Sequence, residues 1–263
     1  MALSFCSFSS GSSGNCYLVE SPETALLVDA GISGRRILEG LAAIGSDQSK
    51  LAGLLVTHEH VDHIRSIRTL SKKKSLDVYA NESTWEAMGV QIRDENKKVF
   101  LTGEAFRIGD IEVKPFNVFH DATEPVGFSF FNGGKQISIV TDTGCITDEI
   151  IGEIAAADLL VLEANHDVNM LKIGRYPWFL KQRVLGNEGH LSNEAAGEAL
   201  LQILEKDQKE RRVLLAHLSK ENNFPQMAYQ TVKNMLEERE FYIGRHIEVS
   251  MIVRDEISCV YQT

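Results

Sequence analysis

The sequence has little cysteine, little proline and a shortage of positive charge, and it lacks any long apolar run. Its four cysteines, Cys6, Cys16, Cys145 and Cys259, show no CxxC spacing. That argues against a disulfide framework and against a zinc finger, and leaves reduced, mainly structural thiols. No apolar stretch approaches the roughly 20 residues needed to cross a bilayer. The opening MALSFCSFSSGSSGN lacks the basic start and apolar core of a signal peptide. The expectation is a cytoplasmic protein without membrane association. Lys and Arg number 27 against 37 Asp and Glu, a net charge of −10, so the chain is unsuited to coating nucleic acid by bulk electrostatics, which needs a positive surface. Local basic patches stay open: Arg65, Arg68, Lys72, Lys73 and Lys74, with Arg175, Lys181 and Arg183 further on. The plainer reading, a solvated helix face, is the preferred one for any single charge among these.

What is present is enough for a core, since 43% of 263 residues are hydrophobic. With no linker, low-complexity tract or repeat, a single domain over 1–263 is expected. Strand-like NCYLVE and ALLVDA precede a helix from Ser33 to Ile44, whose Ile37, Leu38, Leu41 and Ile44 share a face, and then strand LAGLLVT. IEVKPF, GFSFF and QISIVT follow, with FNGGKQ a hairpin signal. Alternation then returns: helix Thr147 to Ala156, strand DLLVLE, helix Ser192 to Leu204, strand RVLLAH and helix Phe224 to Glu237, with IEVSMIV and ISCVYQ closing the chain. Hairpins mixed with strand-helix units predict an α/β protein with mixed sheets packed face to face and helices outside.

The chemistry concentrates in THEHVDH, Thr57 to His63, between an apolar strand and a helical run. In extended backbone residues 58, 60 and 62 project to one side. A helix starting near Asp62 would swing His63 into the same space. Imidazoles and a carboxylate converging in this way suit zinc, manganese or iron. His246, in HIEVSMIV, is read as a satisfied core histidine.

HxHxDH, a later lone histidine, an aspartate ending a strand and a final histidine together resemble the metallo-β-lactamase fold superfamily, which implies an αβ/βα four-layer sandwich holding two divalent ions. The resemblance implies that His58 and His60 bind the first metal and Asp62 and His63 the second. It gives His120, in NVFHDAT, as the third ligand of the first metal, Asp142, in IVTDTG, as the bridging carboxylate, and His217, in RVLLAH, as the last ligand. The chain carries His-Leu-Ser twice, in EGHLSN and in AHLSKEN. His217 ends a strand, whereas His190 precedes a helix N-cap at Ser192 and belongs to a loop. In the RNase Z-like branch such a loop histidine handles the phosphate or leaving group, so His190 is implied to be catalytic, alongside Asp62. SSGSSGN resembles the small-residue turn that opens RNase Z-like chains, and its amides, near Ser13 and Asn15, could form an anion nest. It could equally be a plain turn between strands. His166 and Asp167, in LEANHD, are expected at the site rim in support of His190.

From GSSGNCYL to HLSKENN the chain is most similar to the bacterial YycJ (WalJ) type, a family of metal-dependent DNases with 5′ exonuclease activity linked to repair. His60, where redox relatives have glutamate, implies hydrolysis. Asp142, where antibiotic-degrading relatives have cysteine, points away from them. Only 75 residues separate Asp142 from His217, too few for the cap domain of β-CASP nucleases, and no Gly/Pro-rich arm like that of RNase Z is visible. Two ions would supply hydroxide at neutral pH to attack phosphorus. Three readings stand: a DNA-end phosphodiesterase gripping backbone with its basic residues, a small-molecule hydrolase acting on cyclic phosphodiesters, thioesters or lactones, and a non-catalytic metal scaffold.

Overall fold

The computed structural model describes residues 3–263. Fourteen strands are found among them: β1 (Ser4–Ser9), β2 (Cys16–Glu20), β3 (Ala25–Val28), β4 (Leu51–Leu55), β5 (Val78–Ala80), β6 (Lys97–Val99), β7 (Phe106–Ile108), β8 (Ile111–Asn117), β9 (Val126–Asn132), β10 (Lys135–Val140), β11 (Leu159–Glu163), β12 (Arg212–Ala216), β13 (Glu248–Met251) and β14 (Tyr261–Gln262). They order into two mixed sheets of seven, β14-β1-β2-β3-β4-β5-β6 and β13-β12-β11-β10-β9-β8-β7. Contacts divide the chain into two compact units. One runs to Asn117 and adds Ala122–Gln136 and Arg254–Thr263; the other comprises Val118–Asp121 and Ile137–Val253.

In the first unit β1, β2 and β3 pair antiparallel, and β3 to β6 continue parallel. β3 is buried along its whole length, as an apolar run in a parallel sheet must be when both faces are covered. Phe8, Leu18, Leu27, Leu54 and Trp85 belong to this core. The helix Gly34–Ala43 starts where Ser33 accepts from the amide of Arg36, ends at Ile44, and buries Ile37 and Leu41. The hairpins β7-β8-β9 complete the unit. Gly133 and Gly134, at φ 57° and 76°, make the two-residue turn after β9 that FNGGKQ foretells; only glycine takes two successive left-handed positions without cost.

The second unit is a run of parallel pairs, β10 with β11, β11 with β12 and β12 with β13. Helices Asp148–Ile154, Asn193–Lys206 and Pro225–Glu238 make the crossovers. Thr147 and Ser192 cap the first two, accepting from the amides of Ile150 and Ala195.

Two expectations need correction. ISCVYQ pairs with β1 only at Tyr261 and Gln262, because further along Ser258 meets Ser7 through its side chain as well as its amide, which departs from a regular ladder. His246 lies in the turn before β13, half-buried, accepting from the amide of Tyr242 at 2.9 Å. It is satisfied, but it is not in the core.

Candidate metal centre

In the first unit, β4 leads into Thr57, and His60 is the N-cap of a single helical turn, Val61–Ile64. His60 is in extended backbone, His58 sits in an irregular stretch with bends at Thr57 and Glu59, and the helical turn brings His63 back onto them. The ring of His58 lies 4.7 Å from that of His60 and 4.0 Å from that of His63. His58 Nε2 and His60 Nδ1 face each other at 3.1 Å, and Asp62 Oδ2 is 3.8 Å from His63 Nε2. The four motif residues are therefore together.

A residue outside the motif sets their proton positions. Asp29, fully buried just past β3, accepts from the amide of Thr57 at 2.9 Å, from Thr57 Oγ1 at 2.8 Å and from His63 Nδ1 at 2.7 Å. Thr57 Oγ1 gives its hydrogen to Asp29 and accepts from His58 Nδ1 at 3.0 Å. Both His58 and His63 are thus Nδ1–H tautomers and present Nε2 lone pairs, the arrangement a carboxylate behind a metal-binding imidazole produces. The motif backbone is clamped as well. Asp62 O accepts from the amide of Asn15 at 2.8 Å, and His63 O from that of Ala30 at 2.7 Å. A Cβ on Gly31 would fall 1.5 Å from Asp62 O, so only glycine admits this approach.

The small-residue turn works on the motif. The amide of Gly11 goes to Asn15 Oδ1, that of Gly14 to Gly11 O and that of Asn15 to Asp62. Asn15 Nδ2 donates to His63 Nε2 at 2.9 Å, while Ser13 Oγ donates to Asp255 at 2.6 Å.

In the second unit Glu163 plays the part of Asp29. It ends β11, is fully buried, and receives His190 Nδ1 at 2.8 Å and His217 Nδ1 at 2.7 Å on Oε1, and the amides of Thr143 at 2.8 Å and Leu191 at 3.3 Å on Oε2. Burial alone would raise its pKa, but His190 beside it and these donors hold it below the usual carboxylate range. Asp142, Glu163, His190 and His217 offer atoms within 4.8 Å of one another. The four lone-pair sites of Glu163 are already used, so it positions imidazoles and leaves metal binding to others. With its Nδ1 proton given to Glu163, His217 turns an Nε2 lone pair towards Asp142 Oδ1 at 3.4 Å. An imidazole nitrogen and a carboxylate oxygen facing each other in this way are bridged by a proton or by a metal ion, and a divalent cation fits this donor set. His120 Nδ1 donates to Gly189 O at 3.0 Å, and burial lowers its pKa, keeping it neutral. Its Nε2 likewise carries a lone pair.

Asp29, Asp142 and His217 all stand just past a strand at φ 61°, 57° and 54°. Left-handed backbone is uncommon outside glycine and collects at functional sites, where surrounding structure holds it. Of the rim residues, Asp167 caps helix Val168–Ile173 by accepting from Met170. His166 is 1% exposed, with both ring nitrogens lacking a hydrogen bond among the described residues. Glu163, and not His166 or Asp167, is what holds His190. Lys181 is also corrected. Its Nζ is buried on Lys172 O at 2.7 Å and cannot grip a backbone, and Arg183 is paired with Asp121.

Residues 24–218 match the beta-lactamase superfamily domain, over most of the chain and across both sets of ligands. The chain belongs to the metallo-β-lactamase superfamily. Within the superfamily it is 41% identical to the exodeoxyribonuclease YycJ of Bacillus anthracis over 252 residues, 95% of each chain. It is 40% identical to the exodeoxyribonuclease WalJ of Streptococcus pneumoniae serotype 2 over 245 residues, 91% of this chain and 90% of that one. Among solved structures, the metallo-β-lactamase fold protein YhfI of Bacillus subtilis matches with a TM-score of 0.74 at 18% identity, covering 100% of this chain and 99% of that one. The two mixed sheets with flanking helices are thus the metallo-β-lactamase fold.

Proposed function

We propose that the chain is a metal-dependent exodeoxyribonuclease that hydrolyses phosphodiester bonds from a DNA end, with 5′ polarity and a role in repair. We take it to work in the cytoplasm as a single hydrolase domain. The observation that carries the hydrolase reading is His217 with its Nδ1–H on Glu163 and its Nε2 facing Asp142. Near-full-length similarity to two exodeoxyribonucleases supports DNA as the substrate. Four cysteines, all free thiols, and no helix among the described residues long and apolar enough to cross a membrane support the location.

Following the resemblance, His58, His60 and His120 would hold one ion and Asp62, His63 and His217 a second, with Asp142 contributing its carboxylate. Zinc or manganese suits these donors, and iron also. When bound, such ions bring the pKa of a water towards ~7 and neutralise charge on the phosphate. The chain does the rest. Asp62 keeps a partly open carboxylate, suited to taking the proton of the attacking water. His190, half-buried, opposes burial with the charge and hydrogen bond of Glu163, which push its pKa up. Its Nδ1–H stays on Glu163 and its Nε2–H is available for the departing oxygen. Ser13 and His166 are assigned to substrate, and Asn15 and Asp167 to positioning.

The test is cleavage of end-labelled duplex and single-stranded DNA by protein reconstituted with zinc, manganese or iron. Stepwise release from the 5′ end, abolished in His58→Ala, is expected. His190→Asn should lose turnover by about 100-fold or more while keeping its metal. Metal loss in that variant would make His190 a ligand, and turnover of a small phosphodiester or thioester without DNA cleavage would replace DNA as the substrate.

A further inference from the structure

Between β11 and His190 the chain makes a hairpin of two short helices, Val168–Ile173 and Trp178–Leu185. Leu171 and Val184 anchor it in the core, and Lys181 Nζ ties the second helix to Lys172 O at the end of the first. The anchored side is ordinary packing, but the outward side is not. Trp178 is 67% exposed, Phe179 72% and Ile173 86%. An aromatic pair left this open on a pinned, short helix contributes little to the packing of the hairpin. Lys172 and Arg175 precede the pair in the same hairpin, both exposed and without an ion-pair partner among the described residues.

The hairpin is coupled to the candidate catalytic histidine. The amide of His190 donates to Val184 O at 3.0 Å, and that of Gly189 to Gly186 O at 2.9 Å. Trp178 is six residues before Val184, about 9 Å along the helix axis. Bases stacked at about 3.4 Å per nucleotide would reach that level two to three nucleotides from a phosphate at His190.

We propose that Trp178 and Phe179 form a stacking platform for unpaired DNA bases about two to three nucleotides from the scissile phosphate, with Lys172 and Arg175 taking the adjoining phosphates. This rests on the nuclease reading above and adds a preference for single-stranded ends. Aromatic faces beside unpaired cations fit a polyanion carrying flat bases, since stacking tolerates any sequence and the cations set the backbone.

The test compares metal-loaded wild type with Trp178→Ala/Phe179→Ala on a single-stranded oligonucleotide and on bis(p-nitrophenyl) phosphate. The variant should show about a tenfold or greater rise in KM for the oligonucleotide and unchanged turnover of the small ester. An abasic site scanned along the strand should cost wild type a similar factor at one or two positions, and cost the variant nothing there. Equal KM for both proteins would overturn the platform and leave the nuclease reading intact. Cleavage of the small ester alone, by both proteins, would remove the nuclease reading and the platform with it. Two results would instead give the aromatic pair another occupant and overturn the proposal: a wild-type dimer that the variant dissociates, or flotation of wild type but not variant with phosphatidylserine vesicles.

Discussion

Two buried acids, Asp29 and Glu163, govern the imidazoles, and neither was singled out by the sequence motif. Both end apolar strands already visible in the sequence, ALLVDA and DLLVLE. A carboxylate closing such a run is the signal that could have found them, since a buried charge persists only where donors surround it. The HxHxDH spacing exposed the ligands because ligation fixes residue type. It could not reveal a supporting acid that meets them only through tertiary structure. Glu163→Gln should therefore weaken metal binding about 10–100-fold, measured by metal titration of the purified variant. The same substitution should reshape the stability of the metal-free protein with pH. Glu163 has a depressed pKa, so its contribution is present above the ordinary carboxylate range of ~4.3 and fades as pH falls below it. His190 has a raised pKa, so its contribution is complete below ~6.5 and fades as pH rises past it. Thermal melts of metal-free wild type should fall off on both sides, and those of Glu163→Gln should be flatter.

At the scale of elements, helices were the easier reading. Ser33, Thr147 and Ser192 each cap where the sequence places a helix start, because a short hydroxyl before an amphipathic run satisfies amides that nothing else reaches. Strands near the sheet's end were harder. β1, as SFCSFS, alternates too weakly to announce itself, and the edge strand β14 beside it shrinks to two residues. The turn GSSGN was legible as a turn but not in its purpose, which is to hold the backbone of Asp62 and the ring of His63. Gly31 belongs to the same clamp. Gly31→Ala, with a Cβ 1.5 Å from Asp62 O, should destabilise by about 2 kcal/mol or more and lower metal content together. Melts and metal analysis check it, and a variant that keeps full metal would show that the clamp is not needed to place Asp62.

For the whole molecule, the net charge of −10 would make the proposed DNA binding depend on a few local cations. The log of the oligonucleotide KM should rise with the log of salt concentration, with a slope of about 1–3, corresponding to a few phosphates on single strands. Turnover of a small phosphodiester should change little over the same range. A flat response for DNA would mean that the exposed lysines and arginines are only solvated surface. The fold class was legible because alternating strands and helices with hairpins between them allow few architectures. The division into two compact units, each assembled from separated stretches of chain, was not, since sequence proximity says little about which distant segments share a core.

Glu163 Oε1 receives both His190 and His217, so two reporters draw on a single reservoir of electron density. A cation on His217 Nε2 would polarise its Nδ1–H and claim a larger share of that oxygen. The two imidazoles therefore lean on one acceptor atom, so a substitution at Glu163 loosens both rings at once and cannot be compensated at either alone.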